Sequence, residues 1–416
     1  MKSTNLYLLN ITDTKNTNGV DRYVRCLLSG LATHQQFHKV YHICFVFRGQ
    51  RFLRHVVEHT GYTEIRIPLP EQFRNIIDKS YWLQQYNDYL YQSIEHFFDD
   101  AYTSILHIHT LNLIDLARFI KQRRKAIKII THLHCISWKN LYGIAPERFN
   151  RLYWYYHTRC DYTTAYYLTN CSEEQAYTAC DHLIACAQSG SQYATHVGHT
   201  PKEHISVIPN GIADMAVGFD RAYPDSSECL NLLFVGSVIR AKGIFFILDA
   251  LQRVVQAGYT VKLYIAGACN DTMRKEITER YASLPIVMLG TVSYEELNHY
   301  YRTCDVGIIG SLFEQNSYVA IEMCMFSMPI IASSAEGLDE MFVHEENALK
   351  VPVTFDRLAG LTLDIESMKS HIIRLIETPD LRLHLSHAAR KLYTTHYTLD
   401  KMIERTYEVY SHIVNS

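Results

Sequence analysis

The sequence predicts an α/β protein built from two parallel-sheet domains that face each other across a ligand cleft. Three observations carry this. The chain has 416 residues, more than a single hydrophobic core of about 250–300 residues organises. Short apolar runs alternate with helix-length segments from end to end, the mark of parallel α/β layers. One stretch, VIPNGIADMAVGFDRAYPDSSECLN, breaks that rhythm with an Asn-Gly turn and a high density of Pro, Gly, Asp and Ser. The boundary is therefore expected within Pro209–Leu230. The expected division is a first domain over 1–208, a second over 209–395, and a last helix over 396–416 that crosses back onto the first. Open parallel sheets bind ligands beyond the carboxyl ends of their strands.

In the first half the expected strands are Leu6–Leu9, Tyr41–Phe47, Glu64–Ile67, Ile105–His109 and Ile127–His134. Tyr23–Leu31 and Tyr81–Phe98 carry helical periodicity between them. In the second half NLLFVGS, VKLYIAG, IVMLG, VGIIGS and PIIAS read as buried parallel strands, being apolar at consecutive rather than alternate positions. The helices between them are GIFFILDALQRVVQAG, MRKEITERYA, YEELNHYYRTC and NSYVAIEMCMFS. Ser293 and Glu296 form an S-x-x-E capping box that starts one of them. Leu381–Val414 reads as helical with a break near Thr394–Thr398.

Composition excludes several classes. Lys plus Arg is 40 and Asp plus Glu is 43, without the basic excess of a nucleic-acid binder. The charge is unevenly placed: residues 1–200 carry +5 and residues 201–416 carry -8. Eleven Cys, none spaced C-x-x-C, speak against a disulfide framework or a zinc ribbon and for reduced thiols in the cytoplasm. No signal-peptide pattern opens the chain, and no run approaches the ~18 apolar residues of a membrane span. There is no H-E-x-x-H and no G-x-G-x-x-G after a first strand, so neither a zinc hydrolase nor a dinucleotide oxidoreductase is indicated.

The chemistry concentrates in GIIGSLFEQNSYVAIEMCMFSMPIIAS. A strand ends at Gly310-Ser311, Glu314 follows in a loop, and Glu322 comes eight positions later in a helix. Eight residues is about two helical turns, so both carboxylates can face one side. The helix start between them presents free N–H groups to an anion. A carboxylate two turns in can accept hydrogen bonds from a vicinal diol such as ribose. The plainer reading makes Glu314 a cap and Glu322 a solvated side chain.

This constellation resembles the GT-B-fold retaining glycosyltransferases of the group 1 (family 4) type, whose two domains are Rossmann-like and doubly wound. VIPNGI is similar to the family's inter-domain linker, FVGSVIRAKG to its phosphate loop, Glu314 and Glu322 to its paired glutamates, and Met328–Ser333 to its next strand. The resemblance implies that Glu322 holds the nucleotide ribose and that Glu314 sits by the reacting carbon of the donor sugar. It implies that Lys242 neutralises the donor diphosphate and that backbone amides at Asn316, Ser317 and Tyr318 cradle phosphate and sugar oxygens. Gly236 would let the loop approach the ligand closely. Ser237 stands where the family usually has Arg, and Arg240 is the expected substitute. Asn18-Gly19 resembles the turn that opens the family's first helix, placing Gly19 at the donor. His134, at the end of KIITHLHC, resembles the strand-end histidine near the donor sugar; His132, His107 and His109 stand beside it in the strand pattern.

The activity implied is transfer of a sugar from a UDP- or GDP-linked donor to a glycan, lipid-linked or peptide acceptor, with retention and without a metal or cofactor. Surface polysaccharide or glycoconjugate synthesis is the expected setting. Catalysis would rest on Glu314, His134 and Lys242. The first domain, with Trp82, Trp138, Trp154 and the run RLYWYYHTRCDYTTAYY, is expected to take the acceptor, though such aromatics equally suit a core. Arg118, Lys121, Arg123, Arg124, Lys125 and Lys128 could touch anionic lipid at the inner membrane face, or simply suit a helix C-terminus. Two other readings stay open: a catalytically silent nucleotide-sugar sensor, and a nucleotide-sugar epimerase of the same fold.

Overall fold

The computed structural model describes residues 3–13, 19–34, 36–47, 54–70, 79–164, 177–221 and 229–415. It divides into two units. The first takes the described residues within Met1–Ile136, Asn170–Asn210 and Leu399–Ser416; the second takes those within Ser137–Thr169 and Gly211–Thr398. The divisions at 210/211 and 398/399 fall within three residues of the expected ones. The described stretch 137–164, expected in the first domain, belongs to the second unit.

Along the chain the first unit runs β1 (Thr4–Asp13), α1 (Gly19–His34), β2 (Lys39–Phe47), β3 (His55–His59), β4 (Tyr62–Pro68), α2 (Lys79–Ile94), β5 (Thr103–Ile108), α3 (Ile114–Arg123) and β6 (Ile127–Leu133). The chain then gives α4 (Pro146–Tyr153) to the second unit. It returns for β7 (His182–Ala185), α5 (Gln188–Val197) and β8 (Ile205–Val207). These strands form one sheet in the order β3-β4-β2-β1-β5-β6-β7-β8. All neighbours are parallel except the edge pair β3–β4. Leu6–Leu9 of β1, Ile105 of its neighbour β5, and Ile129 and Ile130 of β6 are fully buried, which is why these strands read as continuous apolar runs.

The second unit continues with β9 (Leu230–Val235), α6 (Ile244–Gln256), β10 (Val261–Ala266), α7 (Asp271–Arg280), β11 (Ile286–Gly290), α8 (Tyr294–Thr303), β12 (Val306–Ile309), α9 (Tyr318–Met325) and β13 (Ile330–Ser333). Then come α10 (Glu336–Met341), β14 (Leu349–Val351), the hairpin β15 (Val353–Asp356) and β16 (Gly360–Leu363), α11 (Ile365–Glu377) and α12 (Pro379–His396). The parallel sheet here has the order β11-β10-β9-β12-β13-β14. Ser293 and Glu296 cap α8 reciprocally, as the spacing predicts. The last helix, α13 (Leu399–Asn415), belongs to the first unit. It buries Met402, Ile403, Tyr407 and Tyr410, and it packs so closely on α1 that a Cβ on Gly30 would stand 2.3 Å from Ile403.

The aromatic and basic clusters find partners. Trp138 and Tyr156 are buried and stack at 5.2 Å. Phe149 and Tyr142 pack on Phe313, and Tyr153 on Phe355. Trp138 and Tyr156 thus follow the plainer reading of these aromatics, as core, but within the second unit and not the first. Trp82 offers no described side chain. Lys121 pairs with Asp181 at 2.8 Å, Arg124 with Asp100 at 3.1 Å and Arg118 with Asp115 at 4.0 Å. Among the described residues no helix is long and apolar enough to cross a membrane.

Candidate active site

Strand ends build the site of the second unit. β9 leads directly into Gly236, whose φ of 135° is open to glycine alone. Its carbonyl lies where a Cβ on Gly267 would stand, 1.9 Å away. The loop then makes one 3-10 turn over Arg240–Lys242 and enters α6 through Gly243 in the left-handed region. A side chain at Gly243 would strike the Gly310 carbonyl at 1.8 Å, so the phosphate-type loop and the end of β12 touch through two glycines. A backbone bond from Leu312 N–H to the Ala241 carbonyl, 2.9 Å, ties them again.

That contact brings together two of the expected site residues that the sequence had not paired. Lys242 Nζ donates to Glu314 Oε2 at 2.7 Å, both side chains being partly exposed. Ser317 caps α9 by accepting from Ala320 N–H at 3.3 Å. Asn316 and Ser317 are buried beside the opening amides of Tyr318. Ser237 lies exposed on the loop.

Two residues stand differently from their expected place. Glu322 is 1 % exposed, and its Oε2 accepts from the Tyr301 hydroxyl at 2.7 Å. It does not share an open face with Glu314, because Glu314 precedes the helix and Glu322 sits on the side of α9 turned to α8. Arg240 turns outward, with both oxygens of Glu276 at 2.7–2.8 Å and the Phe245 ring beneath its guanidinium. It is not brought to the Lys242–Glu314 pair.

A further carboxylate, absent from the expected site residues, stands next to the Glu314 loop. Gly337 N–H donates to the Glu314 carbonyl at 2.9 Å. Its neighbour Glu336 accepts from Lys139 and lies 3.0 Å from His157 Nε2. Burial alone would raise the Glu336 carboxyl, yet Lys139 and His157 pull it down to about 2. The only available signal was Lys139 between the apolar residues of the Trp138 turn, and its partner lies nearly 200 positions away.

In the first unit Gly19 opens α1, with free space around it and no positive φ; Asn18 lies outside the described residues. Asp21 of α1 accepts from Asn10 and Thr12 of β1 at 3.0 and 2.9 Å. His134 follows β6, partly exposed, its Nε2 3.2 Å from His109 Nδ1 and its Nδ1 4.0 Å from Cys186 Sγ. Burial holds His134 and His107 neutral, at about 3.

Two family models match the chain. Residues 17–214 match Glycosyltransferase Family 4 and residues 224–392 match Glycosyl transferases group 1. The chain belongs to the group 1 glycosyltransferases. An uncharacterised glycosyltransferase of Methanocaldococcus jannaschii is 26% identical over 56% of this chain and 60% of its own length. Glycogen synthase of Mycobacterium tuberculosis is 23% identical over 55% of this chain and 54% of its own. The chain thus spans little more than half the length of these relatives.

Solved structures show the glycosyltransferase fold over the whole chain. Sucrose-phosphate synthase from Thermosynechococcus elongatus superposes with a TM-score of 0.72 at 17% identity, covering 99% of this chain and 98% of that one. Anabaena HepE, solved with UDP and glucose, gives 0.66 at 15% identity over 98% and 99%. The GT-B class read from the strand pattern and paired-glutamate motif is therefore the fold of this glycosyltransferase.

Proposed function

We propose that this glycosyltransferase moves a sugar from a UDP- or GDP-linked donor to a glycan, lipid-linked or peptide acceptor with retention of configuration, in polysaccharide or glycoconjugate synthesis. The observation that carries the proposal is the Lys242–Glu314 pair, 2.7 Å apart at the capped start of α9 and beside the Gly236 loop. An ammonium, a helix N-terminus and a glycine turn converging at strand ends suit a diphosphate. The UDP bound by Anabaena HepE supports the same class of donor.

In this mechanism Lys242 exchanges its carboxylate partner for the donor diphosphate and stabilises the charge that builds on the leaving phosphate. The amides at Asn316, Ser317 and Tyr318 assist. Gly236 and Ser237 line the approach; Gly19 enters through the family resemblance alone. The anomeric C–O bond to phosphate breaks while the acceptor oxygen bonds to the same face of that carbon. The leaving phosphate takes the acceptor proton. Glu314, released from Lys242, faces the developing oxocarbenium ion, and no metal is needed to hold the diphosphate. Glu322 serves the ribose once Tyr301 yields or shares its oxygen. Arg240 assists only on leaving Glu276. His134 enters through the family resemblance; its ring nitrogens face His109 and Cys186.

A panel of nucleotide sugars scored by thermal shift and nucleotide release tests this. Stabilisation by one donor together with slow donor hydrolysis or transfer is the expected result. Donor binding with neither would favour the silent sensor. Release of an altered sugar without acceptor would favour the epimerase.

A further inference from the structure

The centre of the first unit's sheet contradicts the composition expected of it. Central parallel strands are ordinarily lined by Val, Ile and Leu. Here His107 on β5 is followed two positions on by His109, and His132 on β6 by His134, the second of each pair standing just past its strand. The register places His107 opposite Ile130 and His132 opposite Ile184. Continued by one pleat, it brings His109 level with His132 and His134 level with Cys186. His107, His109, His132 and Cys186 are buried.

The heteroatoms converge. Coordinating atoms of His132, His134 and Cys186 all lie within 4.8 Å of one another. His132 Nε2 is 3.3 Å from Cys186 Sγ, and His134 Nδ1 is 4.0 Å from it. Tetrahedral zinc with bonds of about 2.0 Å to nitrogen and about 2.3 Å to sulfur places N and S roughly 3.6 Å apart, between the two observed values. Each of these imidazoles has its remote nitrogen held by another histidine. His132 Nδ1 meets His107 Nε2 at 3.3 Å, and His134 Nε2 meets His109 Nδ1 at 3.2 Å. His107 Nδ1 in turn meets the Tyr410 hydroxyl of α13 at 2.7 Å. Outer partners of this kind orient metal-bound imidazoles.

We propose that Cys186 Sγ, His132 Nε2 and His134 Nδ1 form a binding site for one divalent transition ion of the zinc class, with His107 and His109 as its outer shell. One thiolate and two imidazoles suit zinc better than the oxygen-seeking ions. Binding replaces the thiol proton by the metal–sulfur bond and releases that proton to solvent. The remaining protons run outward: His132 Nδ1–H donates to His107, His107 Nδ1–H to Tyr410, and His134 Nε2–H to His109, whose own buried Nε2 ends that branch without an acceptor. The partly exposed edge of His134 leaves room for a water or hydroxide as fourth ligand. The site lies in the first unit and shares only His134 with the donor chemistry proposed above; a failed cobalt test would leave the Lys242–Glu314 reading untouched.

Elemental analysis and cobalt titration of the full-length protein test it. The expected result is about one equivalent of zinc after refolding with Zn²⁺ and dialysis. Co²⁺ added to metal-stripped protein is expected to give a thiolate-to-cobalt charge-transfer band and the intense visible bands of a tetrahedral site. Cys186→Ser should lose the charge-transfer band, and His132→Gln should weaken Co²⁺ binding at least tenfold. Absence of the band in the unmutated, folded protein, which needs no variant to interpret, would overturn the proposal. So would a band of full strength in Cys186→Ser, since another thiol would then carry it.

Discussion

Lys242 and Glu314 show how much one ion pair can hold ready. At 2.7 Å and partly open to solvent, the pair adds little stability of itself, so its members can be exchanged for a ligand at small cost. Lys242→Ala and Glu314→Gln are each expected to cut sugar transfer by at least two orders of magnitude with a melting temperature close to the parent's, checked by nucleotide release and differential scanning calorimetry. Glu322 is the opposite case. Its carboxylate is buried and Tyr301 supplies a hydrogen bond. Tyr301→Phe should cost about 1–3 kcal/mol of unfolding free energy, the penalty for removing a partner from a buried polar group, measured by denaturant titration.

Acid sensitivity also belongs to single residues. Glu64 of β4 faces His42 at 3.6 Å, His59 at 3.6 Å and Arg66 at 3.1 Å. Its hydrogen bond with His42, then Arg66, outweighs burial and lowers its carboxyl from 4.5 to about 2. A depressed folded value means stability that is complete above the ordinary value and lost as pH falls from about 4.5 toward about 2. Glu64→Gln is expected to flatten that limb of the stability–pH curve, read from melting temperatures across pH 2–6.

At the scale of elements the strand ends decide what happens. The phosphate-type loop and the end of β12 meet where Gly243 and Gly310 leave no room for a side chain. Gly243→Ala would have to occupy φ 68° and displace a carbonyl 1.8 Å from its Cβ. It should separate Lys242 from Glu314, lower the melting temperature by several degrees and abolish donor-induced stabilisation in the same thermal-shift assay. The long buried strands were legible because their apolar runs are continuous. β7 and β8, four and three residues long, were not, because so few positions establish no periodicity. Cys186 directly follows β7, so the histidine pairs were visible as strand ends while the thiol beside them was not.

For the whole molecule, the order of units along the chain matters more than their composition. The last helix completes the first unit by burying Ile403 on Gly30 and Tyr410 on the His107 ring. Deleting 399–416 should expose Gly30 and His34 on α1, the partners of Ile403 and Tyr407, and leave a protein that binds a hydrophobic dye and aggregates, measured by dye fluorescence and light scattering. The excursion 137–164 works in the other direction, lending Phe149, Tyr153 and Lys139 to the second unit. The negative charge of the second half is partly spent in local pairs such as Glu276 with Arg240 and Glu314 with Lys242. The charge of a half-chain therefore says little about the sign of a binding site.

Amphipathic period, continuous apolar runs and the E-x7-E motif are local properties. They determined the parallel α/β class, the second unit's strand and helix order, the Ser293 cap and the family. Which carboxylate stays open, which arginine is occupied, and which unit owns residues 137–164 were decided only by tertiary packing. Each depends on a partner tens to hundreds of positions away: Tyr301 for Glu322, Glu276 for Arg240, Glu336 for Lys139, Cys186 for His132. Side-chain chemistry is written in the sequence, but the distance between two side chains is set by strand register and by the glycines that let two loops touch.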